Sequence, residues 1–196
     1  MAPIQPMRHT SGEQPAGGPG TDLDVIYLAM GCFWGAEELY WQTPGVVSTA
    51  VGYMGGTTPH PSYELVCSGT TGHAETVRVE YDPDVTDVNE LLKVFWESHD
   101  PTMLDRQGND VGSQYRSAIY VTNDIQLNEA MRTLDEYQEA LYEEDLGDIV
   151  TEVVPASEAG PFYYAEKHHQ QYLLKNPHGY RCHARTGVPF PQVKRP

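Results

Sequence analysis

The clearest alternation of apolar and polar positions along the chain lies in AETVRVEY, residues 74–81. A period of two predicts a strand with one buried face, on which Val77, Val79 and Tyr81 lie. Glu75 shares their parity, so the pattern also predicts its carboxyl on the buried face. Burial raises the pKa of a carboxyl, which makes Glu75 a candidate general acid near neutral pH. The alternative is a charged residue that curls outward at the end of the strand.

Other segments show the spacing of strands or of amphipathic helices. Apolar or alternating runs predict strands at residues 24–30, 46–53, 115–122 and 149–154. Apolar residues at helical spacing predict helices at residues 33–41, 87–96, 124–144 and 166–175. Strands that alternate with helices are typical of a layered helix-and-sheet domain.

The two ends of the chain differ in composition from its middle. Residues 1–22 are rich in Pro, Gly, Ser and Thr without periodicity, which predicts a flexible N-terminal tail. Residues 23–196 are predicted to form a single domain, in which the Pro- and Gly-rich residues 176–196 are a mobile tail. A chain of 196 residues suits one domain with a real hydrophobic core.

Cys32 follows a predicted strand and directly precedes a predicted helix. A cysteine attacks as its thiolate, and the free N–H groups of a helix N-terminus favour that anion. Phe33 and Trp34 can build an apolar wall beside it that grips a small apolar group. The alternative is that Cys32, Phe33 and Trp34 simply fill the core.

Tyr115 shares a predicted strand face with Ile119 and Val121. A hydroxyl on that face needs a polar partner, which a ligand or Glu75 could supply. The alternative is a tyrosine whose hydroxyl reaches solvent.

Charge and hydropathy narrow the function classes. Asp and Glu number 28 against 12 Lys and Arg, for a formal net charge of −16. Such a surface repels phosphate backbones, so no nucleic-acid partner is expected. No apolar run approaches the ~20 residues that cross a bilayer, and the first residues lack the apolar core of a signal peptide. We therefore expect a soluble, cytoplasmic protein with no membrane partner.

Cysteines and histidines raise the question of a metal site. The chain has three dispersed cysteines that form neither a CxxC pair nor a zinc-finger spacing: Cys32, Cys67 and Cys182. Cys67 lies among apolar neighbours, which favours an inert thiol. Adjacent histidines on a helix project in different directions, so we interpret His168 and His169, and also His178, as structural or solvent-facing. No metal is predicted.

Several local motifs resemble those of the peptide methionine sulfoxide reductase A family. They occur in the family's order and span the chain from about Asp24 to Cys182. The motifs are GCFWGAEELYW (31–41), GYMGG (52–56), SYELVCSGTTGHAE (62–75), GNDVGSQYRS (108–117), HHQQYL (168–173) and NPHGYRC (176–182). Six motifs in order make the resemblance specific.

The resemblance implies an enzyme of oxidative stress and protein repair, and it assigns roles residue by residue. Cys32 attacks the sulfoxide sulfur, and Phe33 with Trp34 holds the S-methyl group of the substrate. Glu75 protonates the sulfoxide oxygen. Three further residues complete the implied site, with two phenols on the oxygen and one ordering carboxylate: Tyr63, Tyr115 and Asp110.

The resemblance also implies how the enzyme is regenerated. Attack leaves a sulfenic acid on Cys32, which Cys182 in the tail resolves as a disulfide. No further cysteine follows Cys182, so a thioredoxin-like partner is expected to reduce that disulfide directly. The substrates are the S epimer of methionine sulfoxide, in oxidised proteins and as the free amino acid. No cofactor is expected, and the protein is predicted to be a monomer.

The implied fold is α+β, a two-layer ferredoxin-like sandwich with a mixed sheet and an extended coil C-terminal tail. Two other functions remain open from the residues. A Cys–His hydrolase or acyltransferase would need a base near Cys32, for which His73 is the candidate. A noncatalytic thiol redox sensor would form the Cys32–Cys182 disulfide without releasing a product.

Overall fold

The computed structural model describes residues 22–191. Its strands, in chain order, are β1 (Asp24–Met30), β2 (Val46–Met54), β3 (Ala74–Tyr81), β4 (Arg106–Gln107), β5 (Asp110–Val111), β6 (Ser117–Val121), β7 (Glu152–Pro155) and β8 (Tyr163–Tyr164). Its helices are α1 (Phe33–Trp41), α2 (Tyr63–Cys67), α3 (Val88–Ser98), α4 (Asp124–Glu143), α5 (Ala156–Ala159) and α6 (Tyr172–Lys175). None of these helices combines the length and the apolar character that a membrane crossing requires.

Most strands form one sheet in the order β7-β6-β1-β3-β2-β8. β6 and β7 are parallel, whereas the other neighbouring strands of the sheet are antiparallel. The predicted α+β class with a mixed sheet is therefore confirmed. The central strand β3 lies between β1 and β2, so its backbone is paired along both edges.

The helices α1, α3 and α4 bury their apolar faces in the same core as one face of the sheet. Ile26 and Leu28 of β1 point into this core together with Val77 and Val79 of β3. Ala29, of the opposite parity, belongs to a smaller cluster on the other face. The period-two pattern thus identifies the helix-covered face, and Glu75 lies on it.

Local sequence signals set several element boundaries. Asp87 and Asn123 precede α3 and α4, and each side chain accepts a hydrogen bond from a backbone N–H in the first turn. Gly31 ends β1 with a φ of +95°, and a Cβ at this position would lie 2.8 Å from Cγ of Gln107. A glycine is therefore required between the strand and α1. The predicted bounds of β1, α1 and β3 match the observed ones.

Two predicted elements need correction. Tyr115 does not lie on a strand, because the chain makes a tight 3-10 turn over Ser113–Tyr115 before β6 begins. Gly112, with a φ of 144°, starts that turn, and its carbonyl accepts a hydrogen bond from the Tyr115 N–H. The helix predicted at 166–175 is reduced to α6 because Gln171 has a left-handed backbone with a φ of 47°.

The structure describes only part of each predicted tail. The N-terminal tail predicted at 1–22 lies outside the described residues except for its last position. After α6 the described chain, up to Pro191, contains no helix or strand. It nevertheless packs on the core, since Val188 and Phe190 contact the main cluster. The mobility predicted for residues 176–196 stays a prediction.

Candidate active site

Cys32 lies at the N-terminus of α1, as the sequence predicts, and is half-buried. Gly31 before it packs against Gln107, whose carbonyl accepts a hydrogen bond from Cys182 Sγ at 3.5 Å. Cys32 and Cys182 line one cleft of about 90 Å³ together with Arg181. The fold therefore brings together two thiols that are far apart in the sequence, and both are free.

Glu75 is buried, with 2% of its surface exposed, so its predicted burial is confirmed. Its Oε2 accepts a hydrogen bond of 3.0 Å from the backbone N–H of Phe33, the residue after Cys32. Burial raises the pKa of Glu75 to about 8; the Phe33 N–H opposes this shift and the charge of Asp110 adds to it. The carboxyl is thus held beside the N-terminus of α1 and carries a proton at neutral pH.

The electrostatics of Cys32 differ in part from the expectation. The backbone N–H groups of Trp34 and Gly35 lower the pKa of its thiol, as a helix N-terminus should. Burial has the larger effect, and with the charge of Glu75 it raises the pKa above its ordinary value. The resting sulfur is therefore a thiol, and the helix N-terminus offsets only part of the effect of burial.

The two aromatic residues after Cys32 differ in burial. Phe33 is only 1% exposed and packs in the core, as the core-filling alternative proposed. Trp34 is half-buried; its Nε1 donates a hydrogen bond of 3.1 Å to His169 Nδ1. Its ring also stacks on Tyr172, with ring centroids 3.8 Å apart. The indole is thus fixed from two sides.

His169 is a site residue that the sequence interpretation missed. It was grouped with His168 as structural or solvent-facing, yet only His168 is exposed. His169 is 3% exposed and contacts the rings of Phe33 and Tyr63 as well as Trp34. Because Nδ1 accepts from Trp34, the proton of the neutral ring lies on Nε2. The HHQQYL motif points to this segment, but the periodicity of the sequence cannot show which aromatic rings His169 contacts.

Tyr63 and Tyr115 approach the site from separate segments. Tyr63 begins α2, and its backbone N–H donates to Glu166 Oε1 at 2.9 Å. Burial raises the pKa of both phenols, and the charge of Glu75 raises each further. Both hydroxyls therefore remain protonated and lie within electrostatic range of the Glu75 carboxyl.

Asp110 links the site to the tail. Both of its carboxylate oxygens lie 3.0 Å from the hydroxyl of Tyr180, which donates to them. The charge of Asp110 also raises the pKa of Glu75, Cys32 and Cys182. Asp110 therefore lies near both thiols and near the Glu75 carboxyl.

The two remaining candidates differ, because His73 lies apart from this chemistry whereas Cys67 lies beside it. His73 is buried against Tyr163 and Gly56, and burial lowers its pKa. Cys67 is exposed, not enclosed by apolar neighbours, and its thiol contacts the Tyr63 hydroxyl. Within residues 22–191, no group of three His, Cys, Asp or Glu could hold a metal ion. A larger groove of about 470 Å³, lined by Leu39 and Val94 among others, contains none of the predicted site residues.

Comparisons with known proteins identify the family to which the chain is similar. A family model described as peptide methionine sulfoxide reductase matches residues 24–195. Peptide methionine sulfoxide reductase MsrA of Vibrio vulnificus is 51% identical over 188 residues, which cover 96% of this chain and 88% of the relative. The MsrA of Maricaulis maris is 56% identical over 169 residues, 86% of this chain and 76% of the relative.

Solved structures share the fold as well. Methionine sulfoxide reductase A of Corynebacterium diphtheriae superposes with a TM-score of 0.80 at 46% identity, covering 88% of this chain and 85% of that one. Reduced Mxr1 of Saccharomyces cerevisiae superposes with a TM-score of 0.72 at 36% identity, covering 87% and 93%. Mxr1 has also been solved in complex with Trx2.

Proposed function

The chain belongs to the peptide methionine sulfoxide reductase family and is a thiol-dependent oxidoreductase that reduces methionine sulfoxide; from this premise we propose that Cys32 is its nucleophile and Glu75 its general acid. The observation that carries the proposal is a buried, protonated carboxyl hydrogen-bonded to the backbone directly after the cysteine. A sulfoxide oxygen leaves poorly unless it is protonated, and Glu75 holds the required proton at neutral pH.

The reaction transfers one oxygen atom. Glu75 protonates the sulfoxide oxygen while the sulfur of Cys32 attacks the sulfoxide sulfur, and the Cys32 thiol proton passes to the carboxylate that Glu75 has become. The S–S bond made by this attack breaks again as the protonated oxygen passes from the substrate sulfur to Cys32, so the substrate loses its S–O bond and Cys32 gains one. The substrate sulfur is reduced by two electrons to the thioether, and Cys32 is oxidised by two electrons to the sulfenic acid. Tyr63 and Tyr115 donate hydrogen bonds to the oxygen as charge develops on it.

The roles of acid and nucleophile support one another. An ionised Glu75 raises the pKa of the Cys32 thiol, so a neutral Glu75 removes that penalty. The backbone N–H groups of Trp34 and Gly35 then favour the thiolate. The reaction therefore starts from a protonated Glu75 and a Cys32 thiol, and the thiol gives up its proton only as its sulfur attacks.

Substrate binding is assigned to the apolar wall of Phe33 and Trp34, which receives the S-methyl group. The indole of Trp34 is preorganised by His169 and Tyr172, so little side-chain freedom is lost when substrate binds. Asp110 orders the site from its position between Tyr180 and the two reacting groups.

Cys182 resolves the sulfenic acid. Its sulfur attacks the sulfur of Cys32, the S–S bond forms, and the hydroxyl of the sulfenic acid leaves with the Cys182 proton as water. Both thiols line the same cleft, which supports this pairing. A thioredoxin then reduces the disulfide; the complex of Mxr1 with Trx2 supports such a partner.

Finer properties of the protein are proposed with the mechanism. The substrate is the S epimer, free or within oxidised proteins, and the enzyme is a monomer of the cytoplasm. The fold is a two-layer ferredoxin-like sandwich: β1, α1, β2, β3, α3 and β6 follow a β-α-β-β-α-β order with strands arranged β6-β1-β3-β2. Residues 23–196 form the single catalytic domain, and the tail supplies the resolving cysteine.

The decisive experiment separates the reaction into its steps. Each epimer of methionine sulfoxide is mixed with the parent, Cys32→Ser and Cys182→Ser, with and without thioredoxin. We expect the S epimer to give repeated turnover in the parent, one methionine per chain in Cys182→Ser, and none in Cys32→Ser. Methionine formation by Cys32→Ser would overturn the proposal. A redox sensor would instead form the disulfide with peroxide and release no methionine.

A further inference from the structure

Arg181, the residue before Cys182, forms a two-pronged ion pair with Glu38 of α1. Its Nε lies 2.6 Å from Glu38 Oε2, and its Nη2 lies 2.7 Å from Glu38 Oε1. Two parallel hydrogen bonds of this kind add geometric specificity to the attraction between the charges. The pair therefore ties the tail to the helix whose N-terminus carries Cys32.

The same guanidinium also shapes the tail. Nη1 of Arg181 donates to the carbonyl oxygens of Pro177 and Gly179, at 2.9 and 3.2 Å. The side chain of Arg181 is 31% exposed and that of Glu38 is 22% exposed. The pair is thus partly shielded from water, and one side chain fixes both the shape of the turn and its position on α1.

Few other contacts hold Cys182 in place. Before it, Tyr180 donates to Asp110; after it, Thr186 and Val188 share the hydroxyl of Tyr137. The Sγ of Cys182 itself donates a 3.5 Å hydrogen bond to the Gln107 carbonyl. The Glu38–Arg181 pair is the charged contact nearest in sequence to the resolving thiol.

We propose that the Glu38–Arg181 ion pair is a positioning device that holds Cys182 within reach of Cys32, so that the sulfenic acid is captured as a disulfide. The inference rests on the proposed function, since it assigns Cys182 as the resolving thiol. The step it accelerates is the condensation of Cys32–SOH with Cys182–SH, in which the S–S bond forms and water leaves. Two reacting groups that are held close together react faster than two groups that must first meet by diffusion of the chain.

The test measures two steps of a single turnover in the same reaction. Parent, Glu38→Gln and Arg181→Gln are each mixed with one equivalent of methionine sulfoxide in the absence of thioredoxin. Methionine release reports the first step, and loss of free thiols in samples quenched with iodoacetamide reports disulfide formation. Relative to methionine release in the same reaction, we expect disulfide formation to slow by about threefold to tenfold in both variants. Trapping of the sulfenic acid by dimedone should rise accordingly.

Two further variants separate positioning from general destabilisation. Arg132→Gln removes an ion pair of similar exposure on α4, with Glu129 and Glu136, and should leave disulfide formation at the parent rate. The exchange Glu38→Arg with Arg181→Glu should restore most of the lost rate because it rebuilds the pair. Parental disulfide rates in Glu38→Gln and Arg181→Gln, or equal slowing in Arg132→Gln, would overturn the inference. Failure of the parent itself to release methionine or to form the disulfide would instead overturn the proposed function.

Discussion

The two thiols of the site are held in place by different means. Cys32 begins a helix that follows the central sheet, and the Glu75 beside it lies in register with Tyr53 on the neighbouring strand. Cys182 lies in a segment without helix or strand, positioned by side-chain contacts such as those of Arg181 and Tyr180. The sheet and α1 therefore position Cys32 and Glu75, which we call the sheet-held half of the site. Side-chain contacts position Cys182 and its segment, which we call the attached half.

This difference follows the chemistry of each half. Sulfoxide reduction needs an acid and a nucleophile in fixed geometry, because misplacement of either raises the barrier. After the disulfide has formed, the segment that carries Cys182 must move so that a reducing partner can reach the disulfide. Local contacts of modest strength permit such opening at a low free-energy cost. Each prediction below weakens one half and asks whether the other is affected.

The largest effect is expected in the sheet-held half. Glu75→Gln keeps an oxygen that accepts from the Phe33 N–H but cannot donate a proton to the sulfoxide. Methionine release in a single turnover should fall by about 10²–10⁴-fold. In the parent, that rate should decline above pH about 8, where Glu75 ionises.

Disulfide formation after oxidation of Cys32 by peroxide serves as the control, because that step does not use Glu75. It should proceed in Glu75→Gln at the parental rate. A variant that releases methionine at the parental rate would show that another group supplies the proton.

The same substitution should change how stability depends on pH. The ordinary pKa of Glu75 is 4.5, and burial raises it to about 8 in the folded chain. Between these values the folded chain binds more protons than the unfolded chain, so the free energy of unfolding falls as pH rises. The contribution is fully present below pH about 4.5 and is lost as pH passes about 8, with a slope of up to about 1.4 kcal/mol per pH unit.

Urea unfolding at several pH values measures this slope in the parent and in Glu75→Gln. Glu37, whose pKa burial raises to about 7, contributes a slope of the same sign in both proteins. The difference between the two curves therefore isolates Glu75. Parallel curves would mean that Glu75 is not protonated in the folded protein.

A smaller effect is expected where the substrate pocket meets the segment after β8. His169→Leu removes the acceptor for Trp34 Nε1 and leaves that donor without a partner. The specificity constant for the sulfoxide, kcat/KM, should fall by about tenfold, mainly through a higher KM. His168→Leu is the matched control, because His168 is adjacent but exposed and should retain parental kinetics. Equal losses in both variants would argue against a specific role for the Trp34–His169 contact.

The sequence predicts the sheet-held half far better than the attached half. β1 was predicted from a short apolar run and β3 from alternation, and both have their observed bounds because these patterns are local properties of the chain. The burial of Glu75 followed from the same parity. Tyr115 was misplaced because a turn beginning at the positive φ of Gly112 interrupts the pattern before β6.

Contacts between distant segments leave no periodic signal. Trp34 with His169 and Glu38 with Arg181 meet only because the chain returns to α1 after β8. The short β8 pairs with the edge of β2 and offers too few residues for a pattern. These contacts depend on topology, which the local pattern of the sequence does not specify.

The smallest effect is expected from loosening the attached half alone. The hydroxyl of Tyr137 donates to the Val188 carbonyl and contacts Thr186 Oγ1, both at 2.8 Å, while its ring stacks on Phe190. Tyr137→Phe keeps the ring and removes these hydrogen bonds, at a cost of about 1 kcal/mol.

A shift of that size should raise the population of the open tail about fivefold. Trypsin cleavage after Arg185, followed by mass spectrometry, measures it, and cleavage should accelerate by the same factor. Tyr142→Phe, which loses an exposed hydrogen bond to Asp148, is the control and should be cleaved like the parent. Methionine release should be unchanged in both variants, because Cys32 and Glu75 are held by the sheet and α1. If Tyr137→Phe slowed methionine release as much as it loosened the tail, the two halves would form one cooperative unit, and the distinction between them would fail.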